Sequence, residues 1–311
     1  MNRYTIIKTF MIVLLPLFLL QAQTINKTAF KDKLRGYWLG SCIANWTGLK
    51  TEGVKLGDRN PPDYFTDNDW HTTIIKNGTE SVYLDYVLDQ DPWGSDDDTD
   101  IEYIFWHAME TYATSKLTGV QIRDQWLEHI DGTYIWVSNE TAYHLMKNGM
   151  VPPNTSLPAN NSNWEMIDAQ LVTESFGFMA PTNPKVALDI SYLPIRTMAY
   201  SHSMWAAQFY VVMHSLASSV DTSLSYKNQL MWMADSARTF IPDTSYIAKM
   251  YDWVKTQYLA TSDKNNWEKV RDAFHNRYKA AKNDSYTYIE WYDSGINFGF
   301  SIISLLFGEG D

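Results

Sequence analysis

Cysteine is nearly absent from this chain of 311 residues, since Cys42 is the only one. A single cysteine cannot form an internal disulfide, and its simplest interpretation is a small buried side chain. Stability must then come from packing, and a chain of this length is long enough to bury one large core. We therefore expect one domain.

Basic residues are fewer than acidic ones. The chain has 25 Lys and Arg against 36 Asp and Glu, a formal net charge of −11 and an isoelectric point near 5.0. Nucleic acids and anionic membranes select for clustered Lys and Arg, so neither is expected as the main partner. The acidic balance is compatible with metal binding but does not require it.

Long apolar runs are confined to the start of the chain. The stretch from Phe10 to Leu20 follows a charged start and precedes a polar sequence. It is shorter than the roughly 20 residues of a membrane-spanning helix, so it predicts a signal peptide over residues 1–22, cut near Ala22. Residues 23–311 are then expected to form an exported domain, periplasmic or secreted, without stable membrane insertion.

Apolar residues at helical spacing dominate the rest of the chain, whereas period-two alternation is scarce. The best alternating piece, residues 81–87, is equally compatible with a helix or a loop. The pattern therefore predicts an all-α bundle. Four groups of apolar residues, each of which would form a stripe along one face of a helix, support this prediction: Ile101, Phe105, Ala108 and Tyr112; Trp205, Phe209, Val212 and Leu216; Ile247, Tyr251, Val254 and Tyr258; and Ile296, Phe300, Ile303 and Phe307.

Two long segments, residues 53–80 and 151–164, are rich in turn-forming residues and predict loops. Loops this long within a compact domain are more often functional than idle. At the other end of the chain, the stripe ending at Phe307 has no sequence after it to cover its apolar side, which predicts that a C-terminal part is missing.

An acidic run, Asp96-Asp97-Asp98, directly precedes the first stripe. Thr99 and Glu102 match a capping box, which would place the run at a helix N-terminus, where the helix dipole favours negative charge. Adjacent carboxylates nevertheless raise one another's pKa unless a cation lies between them, so a Mg²⁺ or Ca²⁺ site is the alternative to a solvated cap.

A calcium loop is a weaker alternative for the neighbouring segment. Asp89, Asp91 and Gly94 fall at loop positions 1, 3 and 6 of such a loop, but Trp93 occupies a ligand position. The sequence therefore disfavours it.

Several segments in the same order resemble the ADP-ribosylglycohydrolase family. The first helix and the loop glutamate Glu52, the Asp96–Thr99 motif, a Gly-x-x-x-Pro-like segment and a Ser-His pair are each similar to a family motif. Each motif is modest, and their order gives the match its weight. The segments are Lys33–Gly40, Ala44–Gly48, Glu52, Asp96–Thr99, Phe176–Pro181, Asn183-Pro184 and Ser201-His202.

The resemblance implies an orthogonal multi-helix bundle that holds Mg²⁺, with Mn²⁺ or Ca²⁺ as alternatives. Asp97 and Asp98 correspond to the two motif carboxylates, Asp96 stands where the family has threonine, and Glu52 is the loop acid. These four are the implied metal ligands. Glu52, Asp97 and Asp98 are the implied catalytic groups.

Two departures limit the resemblance. The family's C-terminal Asp-x-Asp-Thr motif does not occur before Asp311, which agrees with a missing C-terminal part. The stretch matching the family's diphosphate-binding loop, residues 167–175, is bulkier and acidic here. Because acidic groups serve a diphosphate poorly, the stretch favours a neutral glycoside or another N-glycosidic substrate.

Five residues are candidates for substrate binding, each with a structural alternative. Trp46 could stack on a base or sugar or belong to the core. Asp168, Gln170 and Glu174 could line a cleft or form a solvated helix face. His202 could lie near the ligand or bond to the backbone at a helix start.

The sequence therefore predicts an exported, metal-dependent glycohydrolase that cleaves an N- or O-glycosidic bond at ADP-ribose or a related sugar. The expected partner is this small-molecule or glycosyl substrate. A glycosidase that needs no metal and a non-catalytic ligand-binding protein on the same fold remain alternatives.

Overall fold

The structure is a computed structural model and describes residues 25–54, 65, 68–76, 79–84 and 95–308. The predicted signal peptide and all four residues of the alternative calcium loop lie outside these ranges. Within them α-helices dominate, which confirms the all-α prediction at the level of fold class. No helix in the described ranges is long and apolar enough to cross a membrane.

Twelve α-helices lie in the described ranges, and the longest connections between them are residues 52–96, 148–167 and 276–293. In order they are α1 (Lys27–Thr51), α2 (Asp97–Thr111), α3 (Gly119–His129), α4 (Val137–Lys147), α5 (Asp168–Val172), α6 (Phe176–Met179), α7 (Pro184–Met198), α8 (Ser201–Leu216), α9 (Tyr226–Arg238), α10 (Tyr246–Ala260), α11 (Trp267–His275) and α12 (Ser294–Phe307).

The four predicted stripes lie on α2, α8, α10 and α12 and face the core. Ile101, Phe209 and Tyr251 are nearly fully buried, for example, whereas Tyr112 and Tyr258 at the ends of their stripes are half-buried. Burial of one apolar face is what stabilises such helices in water. The helical interpretation of these segments is confirmed.

The central helix α8 contributes to two apolar clusters. Phe209 and Val212 pack with side chains of α9 to α12, whereas Ala207 and Val211 pack with side chains of α2 to α7. Helix α8 is therefore apolar on most of its circumference, as expected of a helix surrounded by others.

Two glycines allow helices to approach closely. A Cβ atom at Gly177 of α6 would lie 2.4 Å from the carbonyl oxygen of Val211 on α8. A Cβ atom at Gly299 of α12 would lie 1.8 Å from the ring of Phe274 on α11. Both distances are below contact distance, so these positions require glycine.

A small hairpin corrects the prediction that residues 53–80 form only a loop. Strand β1 (Thr73–Lys76) pairs antiparallel with β2 (Glu80–Tyr83), with Ile74 opposite Val82. The signal in the sequence was Asn77-Gly78, the dipeptide most typical of short hairpin loops. Residues 151–164 are irregular, as predicted, apart from a short 3₁₀ turn at Asn154–Ser156.

Helix α1 rests on the bundle through few contacts. Trp46 is its one buried residue in the described ranges. Tyr37 donates a hydrogen bond of 2.5 Å to Oε1 of Glu102 on α2, and the ring of Trp38 lies 5.2 Å from that of Trp106. These contacts hold the middle of α1 against α2, and Glu52, the residue after α1, lies close to the start of α2.

Candidate functional site

The acidic run opens α2, but the predicted capping box is wrong. Asp96, not Thr99, is the N-cap, and its carboxylate accepts a hydrogen bond of 3.0 Å from the backbone N–H of Thr99. Asp97 and Asp98 are the first two residues of the helix. Glu102 is turned into the core towards Tyr37 and does not reach back to the cap.

A cleft of about 920 Å³ opens beside this helix start. It brings together Glu52, the three aspartates of the run and Asp168, which are distant in sequence. The described lining residues are Leu49, Glu52, Gly53, Ser95, Asp96, Asp97, Asp98, Asp100, Ile101, Ile104, His129, Ile130, Asp131, Tyr134, Ile135, Trp136, Val137, Ile167, Asp168, Leu171, Trp291 and Tyr292.

The carboxylates of the cleft perturb one another. Burial, followed by the charges of Asp97 and Asp96, raises the pKa of Asp98 well above its usual value. Burial and the charge of Asp96 raise the pKa of Asp97 to about 6. Asp168 and Glu52 act on both groups in the same direction. This mutual repulsion is the situation that a bound cation would relieve.

Asp168 links the cleft to the start of α4. Its Oδ1 accepts a hydrogen bond of 3.1 Å from the backbone N–H of Asn139, while its buried Oδ2 has no hydrogen-bond partner. Burial raises the pKa of Asp168 to about 6, and hydrogen bonding from the backbone of Asn139 and from the Ser138 side chain lowers it by less. A buried acceptor without a partner is costly unless a ligand or water satisfies it.

Aromatic side chains line other parts of the cleft. Tyr134 and Trp136, in the segment before α4, are 69% and 55% exposed. The ring centroids of Trp291 and Tyr292 lie 5.2 Å apart. The backbone N–H of Ile167 donates a hydrogen bond of 3.0 Å to the carbonyl of Tyr292, which holds this segment in place. The cleft thus combines carboxylates with accessible rings.

A second group of acids lies in the interior, on the same side of α2 one turn further along. Glu102 is 1% exposed, and Glu174, between α5 and α6, has a buried Oε2 without a hydrogen-bond partner. Burial, then the charge of Glu102, raises the pKa of Glu174. Sequence reasoning assigned Glu174 to the cleft or a solvated face, but it lies in neither place.

Three other predicted substrate-binding residues do not line the cleft. Trp46 lies within α1, 4% exposed, as a core residue. Gln170 is buried and donates to the carbonyl of Ser294. His202, at the start of α8 as predicted, stacks on Tyr246 at 3.9 Å, and burial lowers its pKa to about 4.

The cleft has the donor chemistry of a divalent-cation site without a complete set of ligands. In the part of the chain that the structure describes, no three Asp, Glu, His or Cys side chains are arranged to hold a metal ion. Mg²⁺, however, usually keeps several waters and takes one or two protein carboxylates. The repulsion at Asp98 and the unpartnered Oδ2 of Asp168 therefore fit such an ion, with Asp97 and Asp98 as its closest candidates.

Sequence reasoning missed the aromatic part of the site. Tyr134 and Trp136 belong to a non-periodic segment, so their exposure could not be inferred, although Gly132 and Asp131 beside them indicated a turn.

The chain matches no protein-family model, and no curated protein or solved structure was found to be similar to it. Its likeness to the ADP-ribosylglycohydrolases therefore stays a prediction.

Proposed function

We propose that this protein is an exported, divalent-cation-dependent hydrolase of a glycosidic bond. The observation that carries the proposal is the convergence of Glu52, the aspartates of the α2 start and Asp168 on one cleft that also presents aromatic rings. Hydrolysis at an anomeric carbon is most often carried out by a pair of carboxyl groups that flank the scissile bond. Rings that sugars can stack on are typical of carbohydrate sites.

The position of each residue in the cleft determines the role that we propose for it. Asp97 and Asp98, held by the first turn of α2, would bind the cation, and Asp96 caps that turn and fixes its geometry. When bound, Mg²⁺ would supply electrophilic polarisation of sugar oxygens. Glu52 is exposed at the end of α1 and lines the same cleft, so it is the group best placed to transfer a proton to or from the reacting bond.

The experiment is the release of free sugar from a panel of N- and O-glycosides, ADP-ribosyl-arginine included, with Mg²⁺ and with EDTA. We expect release with Mg²⁺, its loss in EDTA and its recovery when Mg²⁺ is restored. The variant Asp97→Asn should lose activity. The matched control Asp131→Asn removes a charge from the same cleft outside the α2 start and should retain it.

One observation favours a second candidate, a glycosidase that needs no metal. The pKa of Asp97 is raised to about 6, chiefly by burial, and a carboxyl group with such a pKa holds a proton in mildly acidic solution. In that case sugar release would persist in EDTA and rise as the pH falls towards that value. Activity that is indifferent to both chelation and Asp97→Asn would refute the role of the α2 aspartates altogether.

A further inference from the structure

The charge of the cleft restricts which ligands it can hold. In the described part of its lining there are seven carboxyl side chains, from Glu52 to Asp168, and His129, but no Lys or Arg. A phosphate or diphosphate is bound by N–H donors, cationic side chains or a metal ion, and it is repelled by carboxylates that carry a negative charge. One divalent cation offsets two negative charges and leaves the cleft acidic.

The same cleft is well suited to hydroxyl groups. Carboxylate oxygens accept hydrogen bonds from O–H donors, and Oδ2 of Asp168, a residue 6% exposed, makes no hydrogen bond of standard geometry, although the Ser138 hydroxyl interacts with this carboxyl group. Asp168 belongs to a different segment from the acidic run. Its incompletely satisfied acceptor fits a ligand that donates hydrogen bonds, as a sugar does.

Trp136 supplies the flat apolar surface that a sugar ring packs on. It is 55% exposed, and its backbone is extended, at φ −131° and ψ 169°. An indole this exposed in a cleft keeps its apolar face in contact with water, which is unfavourable. A ligand that covers this face would remove that contact. Stacking on an aromatic ring does not require charge in the ligand.

The backbone that carries Trp136 is strained and firmly held. Val137, a β-branched residue, has φ +55°, a region that such residues rarely adopt. The side-chain amides of Asn163 and Asn161 donate to the carbonyls of Val137 and Ser138 at 3.3 and 3.1 Å. Strain that the surroundings enforce in this way is concentrated at ligand sites.

We propose that the cleft binds an uncharged glycoside, with a sugar ring packed against the indole of Trp136, and that it discriminates against phosphorylated sugars. The inference deepens the proposed function and rests on it in one respect, that the substrate occupies this cleft. Trp136 is then a specificity-determining residue, and the substrate class is neutral saccharides rather than nucleoside diphosphate sugars.

The test is direct binding, measured by ligand-observed NMR on the full protein with Mg²⁺ and again with EDTA. The probes are the methyl glycosides of ribose, arabinose, glucose and galactose, compared with ribose 5-phosphate, glucose 1-phosphate, galactose 1-phosphate and ADP-ribose. At least one methyl glycoside should bind about tenfold or more tightly than its phosphate. Raising the salt concentration should narrow that difference, because salt screens the repulsion.

Variants separate stacking from folding. Trp136→Ala should weaken glycoside binding by about tenfold, within the range of one stacked ring, and Trp136→Phe should restore most of it. The control Trp232→Ala removes an indole on α9 that is 40% exposed and does not line the cleft, and binding should be unchanged. Circular dichroism verifies that each variant is folded.

Three results would overturn the inference: phosphorylated sugars that bind as tightly as the methyl glycosides, no binding of any methyl glycoside, or unchanged binding in Trp136→Ala. Failure of the proposed function is distinguishable. Glycoside binding that depends on Trp136 without any hydrolysis would leave this inference standing and remove the enzyme. Hydrolysis of ADP-ribosyl-arginine would do the reverse.

Discussion

The substitution Asp168→Asn tests whether the cleft is strained by its own charge. Asparagine keeps an Oδ1 acceptor for the backbone N–H of Asn139 and removes the negative charge. In the metal-free protein we therefore expect this variant to be more stable than the wild type at neutral pH, although it replaces a residue of the candidate site.

The magnitude follows from the pKa of Asp168, which burial raises from 3.8 to about 6. At about 1.4 kcal/mol for each pKa unit, ionising this group in the folded protein costs about 3 kcal/mol. The pKa of Asp168 is higher in the folded protein than in the unfolded chain. The wild type therefore has its full stability at this site below about pH 4, where Asp168 is protonated in both states, and loses it as the pH rises through about 6. The new buried amide N–H₂ group offsets part of the gain, so we expect about 1 to 3 kcal/mol.

Urea unfolding in EDTA, followed by circular dichroism from about pH 4 to about pH 7.5, measures this difference. The free energy of unfolding of Asp168→Asn should equal that of the wild type at about pH 4 and exceed it at about pH 7.5. Asp168→Ala, which also removes the acceptor for Asn139, should be less stable than Asp168→Asn throughout. A wild type that is as stable as the asparagine variant at neutral pH, or a difference independent of pH, would refute the reasoning.

Three further predictions concern stability and are measured by urea unfolding. Tyr37→Phe leaves a buried carboxyl group without its 2.5 Å donor and should cost about 1 to 3 kcal/mol, whereas the exposed Tyr103→Phe should change stability by less than about 0.5 kcal/mol. Gly177→Ala places a Cβ atom 2.4 Å from a backbone oxygen of α8 and should cost about 1 to 3 kcal/mol or prevent folding, while Gly40→Ala, with open space around it, should stabilise α1 by up to about 1 kcal/mol. Val137→Gly relieves a φ of +55° and should leave stability unchanged or higher; a loss of more than about 1 kcal/mol would argue against strain there.

The helices were predictable because their signal is periodic. Ile247, Tyr251 and Val254 recur at the spacing of one helix face, and burying that face is what stabilises a helix, so pattern and structure coincide. The piece at residues 81–87, which overlaps β2, was the best alternating one in the sequence, but it was not assigned as a strand because it is short and β2 is mostly exposed, which leaves little hydrophobic alternation.

The acidic part of the site was predictable as a group of residues but not in its geometry. Asp97 and Asp98 do open a helix, yet the cap is Asp96, since a side chain one turn earlier satisfies the first free N–H groups equally well. That Asp168 faces the same cleft depends on its hydrogen bond to Asn139, a tertiary contact between distant segments. No local pattern encodes such a contact.

Glu174 and Trp136 show the limits most clearly. A glutamate is expected in solvent and a tryptophan in the core, because charge is costly to bury and apolar area is costly to expose. Here Glu174 has a buried oxygen and Trp136 is 55% exposed. The exposure of Trp136 is a reversal of the kind expected at functional sites, where local preferences give way to the needs of a ligand, whereas Glu174 lies outside the cleft.

The central claim is that the carboxylates at the start of α2 hold a divalent cation. Isothermal titration calorimetry of the metal-free protein with Mg²⁺ and with Mn²⁺ tests it most directly, with Asp97→Asn and the control Asp131→Asn beside the wild type. We predict saturable binding in the wild type and in Asp131→Asn, and its loss in Asp97→Asn. A folded wild-type protein that takes up neither ion, or an Asp97→Asn variant that binds as tightly as the wild type, would contradict the account.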